Sequence, residues 1–180
     1  MRLVGVDPGF AYMGVCLAEY DGKLLQVQYM HVIETKKDQR RVLACNDNVK
    51  RARKLFLRLE NIVERYEPSV ICAESMSFPR NASAAAKMAM SWGVIVSISE
   101  MRGLPLPVQT SPQDIKLAVC DSKKASKEAM HVRLVNLYPE IEGLLDDIPA
   151  SRQEHPIDAL GAIVAALDSD IVKAGLRVGE

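Results

Sequence analysis

Two short runs constrain this chain more than any other part of it: Leu3-Val4-Gly5-Val6-Asp7 and Val70-Ile71-Cys72-Ala73-Glu74. Each ends on an acid, so each reads as a buried strand that delivers a carboxylate to its C-terminal end. A third acid, Asp158, follows His155 by one helical turn on an apolar stretch late in the sequence. Carboxylates in such surroundings are costly unless something positive stands among them, and a divalent cation is the usual answer.

Periodicity and chain breakers supply the other elements. Pro8-Gly9 ends the first strand, Met13 to Tyr20 reads as the second, and Asp21-Gly22 is a hairpin signal leading into a third from Leu24 to Ile33. From about Ala44 to Tyr66, Val49, Ala52, Leu55, Phe56, Leu59, Ile62 and Val63 recur at helical spacing, and Pro68 stops that helix. Residues 82 to 101 predict a second long helix, apolar almost all round and so expected to be well buried, with Gly103 just past its end. Leu104 to Thr110 is a short strand whose prolines suit a sheet edge. Ser111-Pro112 opens a helix through Val119, and another runs from about Ser126 to Leu137. The last helix is expected to begin at Pro156, with His155 as its N-cap.

The order β-β-β-α-β-α-β-α-α-α predicts an α/β fold: a mixed five-stranded sheet, antiparallel meander first and parallel strands after, flanked by helices. The first and fourth strands would be central neighbours, bringing Asp7 and Glu74 to one rim of the sheet, where ligands of open α/β sheets bind.

At 180 residues the chain suits a single domain spanning 1–180. No apolar run approaches the roughly 20 residues of a membrane span, and Met1-Arg2 leads into a strand rather than a signal-peptide plan, so a cytoplasmic protein without membrane partners is expected. Cys16, Cys45, Cys72 and Cys120 lie too far apart for a zinc or disulfide framework, and Cys16 and Cys72 read as small buried hydrophobes. The 23 basic and 23 acidic residues cancel, which alone argues against a nucleic-acid partner, but their distribution is uneven. Lys36, Lys37, Arg40, Arg41, Lys50, Arg51, Arg53, Lys54 and Arg58 share their stretch with only Asp38 and Asp47 as acids. Lys116, Lys123, Lys124 and Lys127 form a second basic group, and acids concentrate from Glu140 to Asp158. One face can therefore be strongly positive.

Each candidate site residue has an ordinary alternative. Asp7 opens an Asp-Pro-Gly turn, Asp158 falls near a helix start where a carboxylate suits the dipole, and a single lysine usually lies on a solvated face. Glu74, after four apolar residues, has no local structural task. Taken together, Asp7, Glu74, His155 and Asp158 supply donors from three segments for two metal ions about 4 Å apart, the arrangement of two-metal phosphodiester hydrolysis. Asp7 would bridge the ions, while Lys116 and Lys127 offset phosphate charge.

These residues also carry a resemblance. Gly5-Val6-Asp7-Pro8-Gly9, Glu74 with Asn81 seven residues on, Gln113-Asp114-Ile115-Lys116 with Lys127 eleven residues later, and His155-Pro156-Ile157-Asp158-Ala159-Leu160 resemble RuvC-type Holliday junction resolvases over roughly Met1 to Leu167. The resemblance implies a ribonuclease H-like fold and a homodimeric endonuclease that cuts four-way DNA junctions by paired symmetric nicks. It implies catalytic and metal-binding roles for Asp7, Glu74, His155 and Asp158, with two Mg²⁺ or Mn²⁺ ions per site and no organic cofactor. It further implies a catalytic role for Lys127 and DNA contacts at Phe78, Arg80, Asn81, Lys116, Lys123, Lys124 and Lys127. Phe78 stands about one position from the family's aromatic wedge for the junction centre. The apolar helix around Met88, Met90, Trp92, Val94 and Ile95 is the expected dimer contact, with burial inside one subunit as the competing role.

The chain departs from the family pattern in four places. His155 stands where most relatives carry a fourth acid, Met13 replaces a threonine, the turn from Cys120 to Ser126 exchanges glycine for lysine, and Lys36 to Lys54 is unusually basic. These fit a diverged branch, such as a viral one. An imidazole donor suits Mn²⁺ better than Mg²⁺ and must be neutral to ligate, so cleavage should be at least as good in Mn²⁺ and fade in acid. The same site would serve a broader branched-DNA or flap nuclease or an RNA–DNA hybrid nuclease, and a non-catalytic junction-binding protein is the alternative from another class. An actin-like phosphotransferase needs two such domains, which 180 residues do not supply.

Overall fold

Strand parity decides what reaches the rim. In the computed structural model, which describes residues 1–38, 43–76 and 81–178, β1 (Arg2–Asp7) lies at the centre of a five-stranded sheet of order β3-β2-β1-β4-β5. It pairs antiparallel with β2 (Tyr12–Tyr20) and parallel with β4 (Val70–Glu74). β3 (Leu25–Glu34) and the short β5 (Val108–Thr110) form the two edges. This is the mixed ribonuclease H-like sheet expected from the element order.

The helices are α1 (Ala44–Tyr66), α2 (Ala82–Met101), α3 (Pro112–Cys120), α4 (Lys127–Leu137), α5 (Ile141–Leu145), α6 (Glu154–Ala166) and α7 (Asp170–Val178), with a 3-10 turn at Ala150–Arg152. They cover both faces, which is why β1 and β4 are apolar without alternation. Val4, Val6, Ile71 and Ala73 face one core with α1 and α2. Leu3, Val70 and Cys72 face the other, with α3, α4 and α6. Side chains alternate along a strand, so Asp7 and Glu74 fall on the α6 side. The register aligns Val6 with Ala73, leaving the two acids as neighbours at the C-terminal ends of β1 and β4.

Glycine lets α6 lie directly on this sheet. A Cβ at Gly5 would stand 2.1 Å from the Ala159 carbonyl oxygen, and one at Gly14 would stand 2.1 Å from the His155 carbonyl oxygen. The helix therefore touches the backbone of β1 and β2 with no side chain between, and Ala159, Leu160, Ala162 and Ile163 are fully buried against them. Local signals behave as expected elsewhere. Asp21 Oδ1 accepts from the Lys23 and Leu24 amides, with Gly22 at φ +97°. Ser111 and Ser126 cap α3 and α4 through the Asp114 and Ala129 amides, and Cys16 and Cys72 are buried free thiols.

Several expectations need correction. α6 starts at Glu154 rather than Pro156, so His155 is a first-turn residue and not the N-cap. Proline needs no amide partner in a first turn and is no obstacle to two residues before it. α5 and α7 were absent from the sequence reading, so the helix carrying Asp158 is not the last. Val49 is exposed and takes no part in the α1 core stripe. α2 is buried only from Ser91 onward, and its first half is exposed or intermediate. By length and composition α2 is also long and apolar enough to cross a membrane, a property that a search for unbroken apolar runs passes over because serines and Lys87 interrupt it. Here Trp92, Val94, Ile95 and Ile98 build that helix into the core beside Val4 and Ile71.

Candidate active site

The rim collects charge from four elements. At the end of β1, Asp7 Oδ2 accepts a hydrogen bond from His155 Nδ1, 2.8 Å away on the first turn of α6. One helical turn on, Asp158 is 7 % exposed. Its Oδ2 accepts from Lys127 Nζ at 2.8 Å, and its Oδ1 lies 2.9 Å from His131 Nε2 on the next turn of α4. Lys127 Nζ also donates to Glu154 Oε2 at 2.9 Å.

The electrostatics separate the three acids. Burial pushes the Asp7 carboxyl above its ordinary value, although the His155 contact pulls it back and Asp158 adds repulsion. Glu74 is pushed up to about 7, first by burial, then by the negative charges of Asp7 and Asp158, with Lys127 only partly opposing them. Burial alone would lower the Lys127 ammonium, but its hydrogen bonds to Asp158 and Glu154 prevail and hold it firmly charged. The acids thus sit within one another's field, and Glu74 is the member without a cation of its own among the described contacts.

Glu74, Lys116, Lys127 and Asp158 line one cavity of about 250 Å³, with Ile115 and Met130 as its apolar wall. Among the described residues no three His, Cys, Asp or Glu side chains stand grouped as ready metal ligands, because Asp7 faces His155 while Asp158 faces Lys127 and His131. The donor set nevertheless suits a hard divalent cation: three carboxylates and an imidazole, with one carboxyl held near neutral pH for want of positive charge.

The described contacts of Asn81 and Lys123 are with other residues. Asn81 Oδ1 accepts from the Ser83 and Ala84 amides and caps α2. Lys123 stands 3.8 Å from Asp114, and Lys124 is exposed in the turn before α4. Phe78 and Arg80, the expected wedge and its neighbour, lie outside the described residues. Four residues escaped the sequence reading: His131, Glu154, Tyr12 and Arg152. The Tyr12 ring stacks on His155 at 5.6 Å, and the Arg152 guanidinium lies 3.6 Å over the Tyr12 ring and 3.8 Å from Glu34. His131 had one available signal, its spacing of four from Lys127, which puts both on one helix face.

Comparison with known proteins identifies the family and the fold. The family described as "Crossover junction endodeoxyribonuclease RuvC" matches residues 3–167. The RuvC endonuclease of Pseudothermotoga lettingae is 31 % identical over 128 residues, 71 % of this chain and 74 % of its own length. That of Clavibacter michiganensis is 30 % identical over 183 residues, 99 % of this chain and 78 % of its own. Among solved structures, Thermus thermophilus RuvC in complex with a Holliday junction substrate superposes with a TM-score of 0.73 at 21 % identity, covering 92 % of both chains. The yeast mitochondrial Holliday junction resolvase superposes with a TM-score of 0.66 at 15 % identity, over 98 % of this chain and 80 % of the other. Those superpositions share the fold, and the family match adds the lineage: the chain is a member of the RuvC family of crossover junction endodeoxyribonucleases.

Proposed function

We propose that this chain is a Holliday junction-resolving endonuclease that hydrolyses one phosphodiester in each of two opposed strands, with Asp7, Glu74, His155 and Asp158 as its divalent-metal ligands. The observation that carries this reading is the meeting of Asp7, Glu74 and Asp158 at one sheet rim, in a chain of the RuvC family, which is a family of divalent-metal-dependent nucleases. One domain carries the whole candidate site.

Asp7, Glu74, His155 and Asp158 would hold divalent cations, Mn²⁺ or Mg²⁺ and two per site, which would supply an acidified water and charge neutralisation for phosphodiester hydrolysis. The chain's own groups prepare for this. Asp7 projects from the central strand beside Glu74 on β4 and His155 on α6, and with them and Asp158 would hold the metal. Glu74 gives up its proton as positive charge arrives. Lys127, held charged by Asp158 and Glu154, lies on the cavity wall with Lys116, where both can meet the phosphates flanking the cut. Lys123, Lys124 and Asn81 are further proposed DNA contacts, and the roles expected of Phe78 and Arg80 rest on sequence alone.

A homodimer provides the second cut. The dimer reading moves from the residues first expected to carry it, because Trp92, Val94 and Ile95 are buried within the subunit and Met88 and Met90 pack against its core. The opposite side of α2 supports it instead: Ala82, Ala86, Ala89, Gly93 and Val96 are exposed at helical spacing, and nothing lies within 4 Å of a Cβ at Gly93. Such a strip of small residues admits a second helix at close range.

The test is cleavage of synthetic four-way junctions, flaps and RNA–DNA hybrids side by side, with parent, Asp7→Asn and Glu74→Gln proteins, in Mn²⁺, Mg²⁺ and chelator. Paired nicks in the junction, lost in both variants and in chelator while binding persists, are the expected result. Junction binding without cutting in any divalent ion, or preferential cutting of hybrids, overturns it. Solution mass at twice the monomer is expected in parallel.

A further inference from the structure

Helix α1 carries a row of cations that the cleavage site does not use. Lys50, Arg53, Lys54 and Arg58 occupy positions i, i+3, i+4 and i+8, which puts them on one side of the helix, and all four are exposed. With Leu57 and Asn61 they line a shallow groove of about 560 Å³. The ion pairs described for α1 belong to other residues, Arg51 with Asp47, and Glu60 and Glu64 with Arg102. Among the described residues, none of the four cations in the row has an acidic partner within ion-pair distance. Like charges repeated on one helix side repel one another, and no ion pair among the described residues offsets that repulsion.

The row leads to the rim. A hollow of about 380 Å³, with Asp38 and Asp47 also in its wall, joins Lys50 and Lys54 to Glu34 and Thr35 at the end of β3; the acids confine a phosphate track to the outer side of the row. Glu34 is opposite Tyr12 in the sheet, and Tyr12 stacks on His155. α1 packs on the sheet face opposite α3 and α4, so the row and the lysines of α3, α4 and their connecting turn stand on opposite sides of the carboxylates.

We propose that this side of α1 is a track for DNA phosphates, holding a duplex arm of the junction across the cleavage rim from Lys116, Lys123, Lys124 and Lys127. The proposal rests on the junction-resolving reading above. Its chemistry is that of backbone contact: the side has no aromatic ring to stack on a base and a single large apolar residue, Leu57, which is too little to anchor a peptide helix or a lipid surface. The row spans roughly 12 Å of helix, along which a duplex presents about one negative charge per 1.7 Å. Contacts of this kind fix position and register without reading sequence.

The test compares the parent with a Lys50→Gln, Arg53→Gln, Lys54→Gln, Arg58→Gln variant, and with a charge-keeping version in which each lysine becomes arginine and each arginine lysine. Binding is measured against salt on four-way junctions with arms of about 20 bp and of about 6 bp, and cutting at saturating junction is measured separately. On long arms the glutamine variant should bind at least about tenfold more weakly, with a salt dependence shallower by roughly 2 to 4 in log–log slope. On short arms it should match the parent, cutting at saturation should be unchanged, and the charge-keeping version should behave as the parent does. Equal slopes on long arms overturn the proposal, as does an equal loss at both arm lengths, which would put these residues at the junction centre. A thermal melt checks that the variants are folded. A parent that neither binds nor cuts junctions removes the underlying reading, whereas a parent that does both beside an unaltered variant removes this one alone.

Discussion

Tyr12 and His155 stack with their ring centroids 5.6 Å apart and their planes inclined by 25°. Arg152 holds its guanidinium 3.6 Å from the centroid of the same tyrosine ring, so the ring that stacks on the Asp7-contacting imidazole is itself held by a cation. Groups that orient a metal-ligating histidine typically change metal affinity by about 10- to 100-fold when removed. Tyr12→Ala should weaken Mn²⁺ binding within that range in a calorimetric titration, while Tyr12→Phe, which keeps the ring, should bind nearly as the parent does. Equal affinity in all three proteins would show that the stack positions nothing.

Glu74 gives a pH dependence whose sign is fixed. Its carboxyl rises from an ordinary 4.5 to about 7 in the folded chain, so between those values the folded state holds a proton that the unfolded state has lost. Stability from this group is therefore present below about 4.5 and declines as pH rises toward 7. In chelator, the denaturation midpoint of the parent should fall over that interval relative to Glu74→Gln. Metal binding requires the carboxylate, so Mn²⁺ affinity should rise through the same window with release of about one proton. A parallel pH response of parent and variant would contradict both.

Lys127 neutralises an acid that is nearly out of water. Lys127→Met would leave Asp158, 7 % exposed, with His131 as its remaining described partner. The expected cost without metal is about 1–2 kcal/mol, kept low because the lysine is itself nearly half exposed. Added Mn²⁺ should recover part of that loss in a thermal melt. Cleavage should fall by about 100-fold or more even at saturating metal, since in the proposed mechanism the ammonium also meets the phosphates. Full recovery of cutting by metal would reduce Lys127 to a structural role.

The seating of α6 can be tested by one methyl group. Gly14→Ala places a Cβ 2.1 Å from the His155 carbonyl oxygen, which forces helix and sheet apart. A loss of about 1–3 kcal/mol or more is expected in chemical denaturation, with cutting lost beyond what stability explains because His155 and Asp158 move together. Gly143→Ala on α5, where nothing lies within 4 Å, serves as the fold control.

What the sequence made legible followed from how local each signal is. β1 and β4 announced themselves because an apolar run ending on an acid is readable without knowing the partner strand, and their adjacency followed from element order. The start of α6 was misplaced because Pro156 looks like a first helical residue, while nothing in Glu154-His155 marks the true start. α5 and α7 were missed because each is short and only partly apolar. His131, Tyr12 and Arg152 acquire their roles through contacts 27, 143 and 140 residues away in the chain, and no local pattern marks such a role. The burial of α2 was overestimated because alanine, serine and glycine look apolar in a count yet leave a helix surface that suits water or another helix equally well.

The two glycine contacts under α6 bear on how this enzyme can diversify. A helix resting on bare peptide backbone takes its position from the main chain, so exchanges of side chains elsewhere in the molecule do not tilt it. The row on α1, the lysine turn before α4 and the outer strip of α2 can therefore drift toward new substrates or new mates while the spacing of the acids is inherited unchanged.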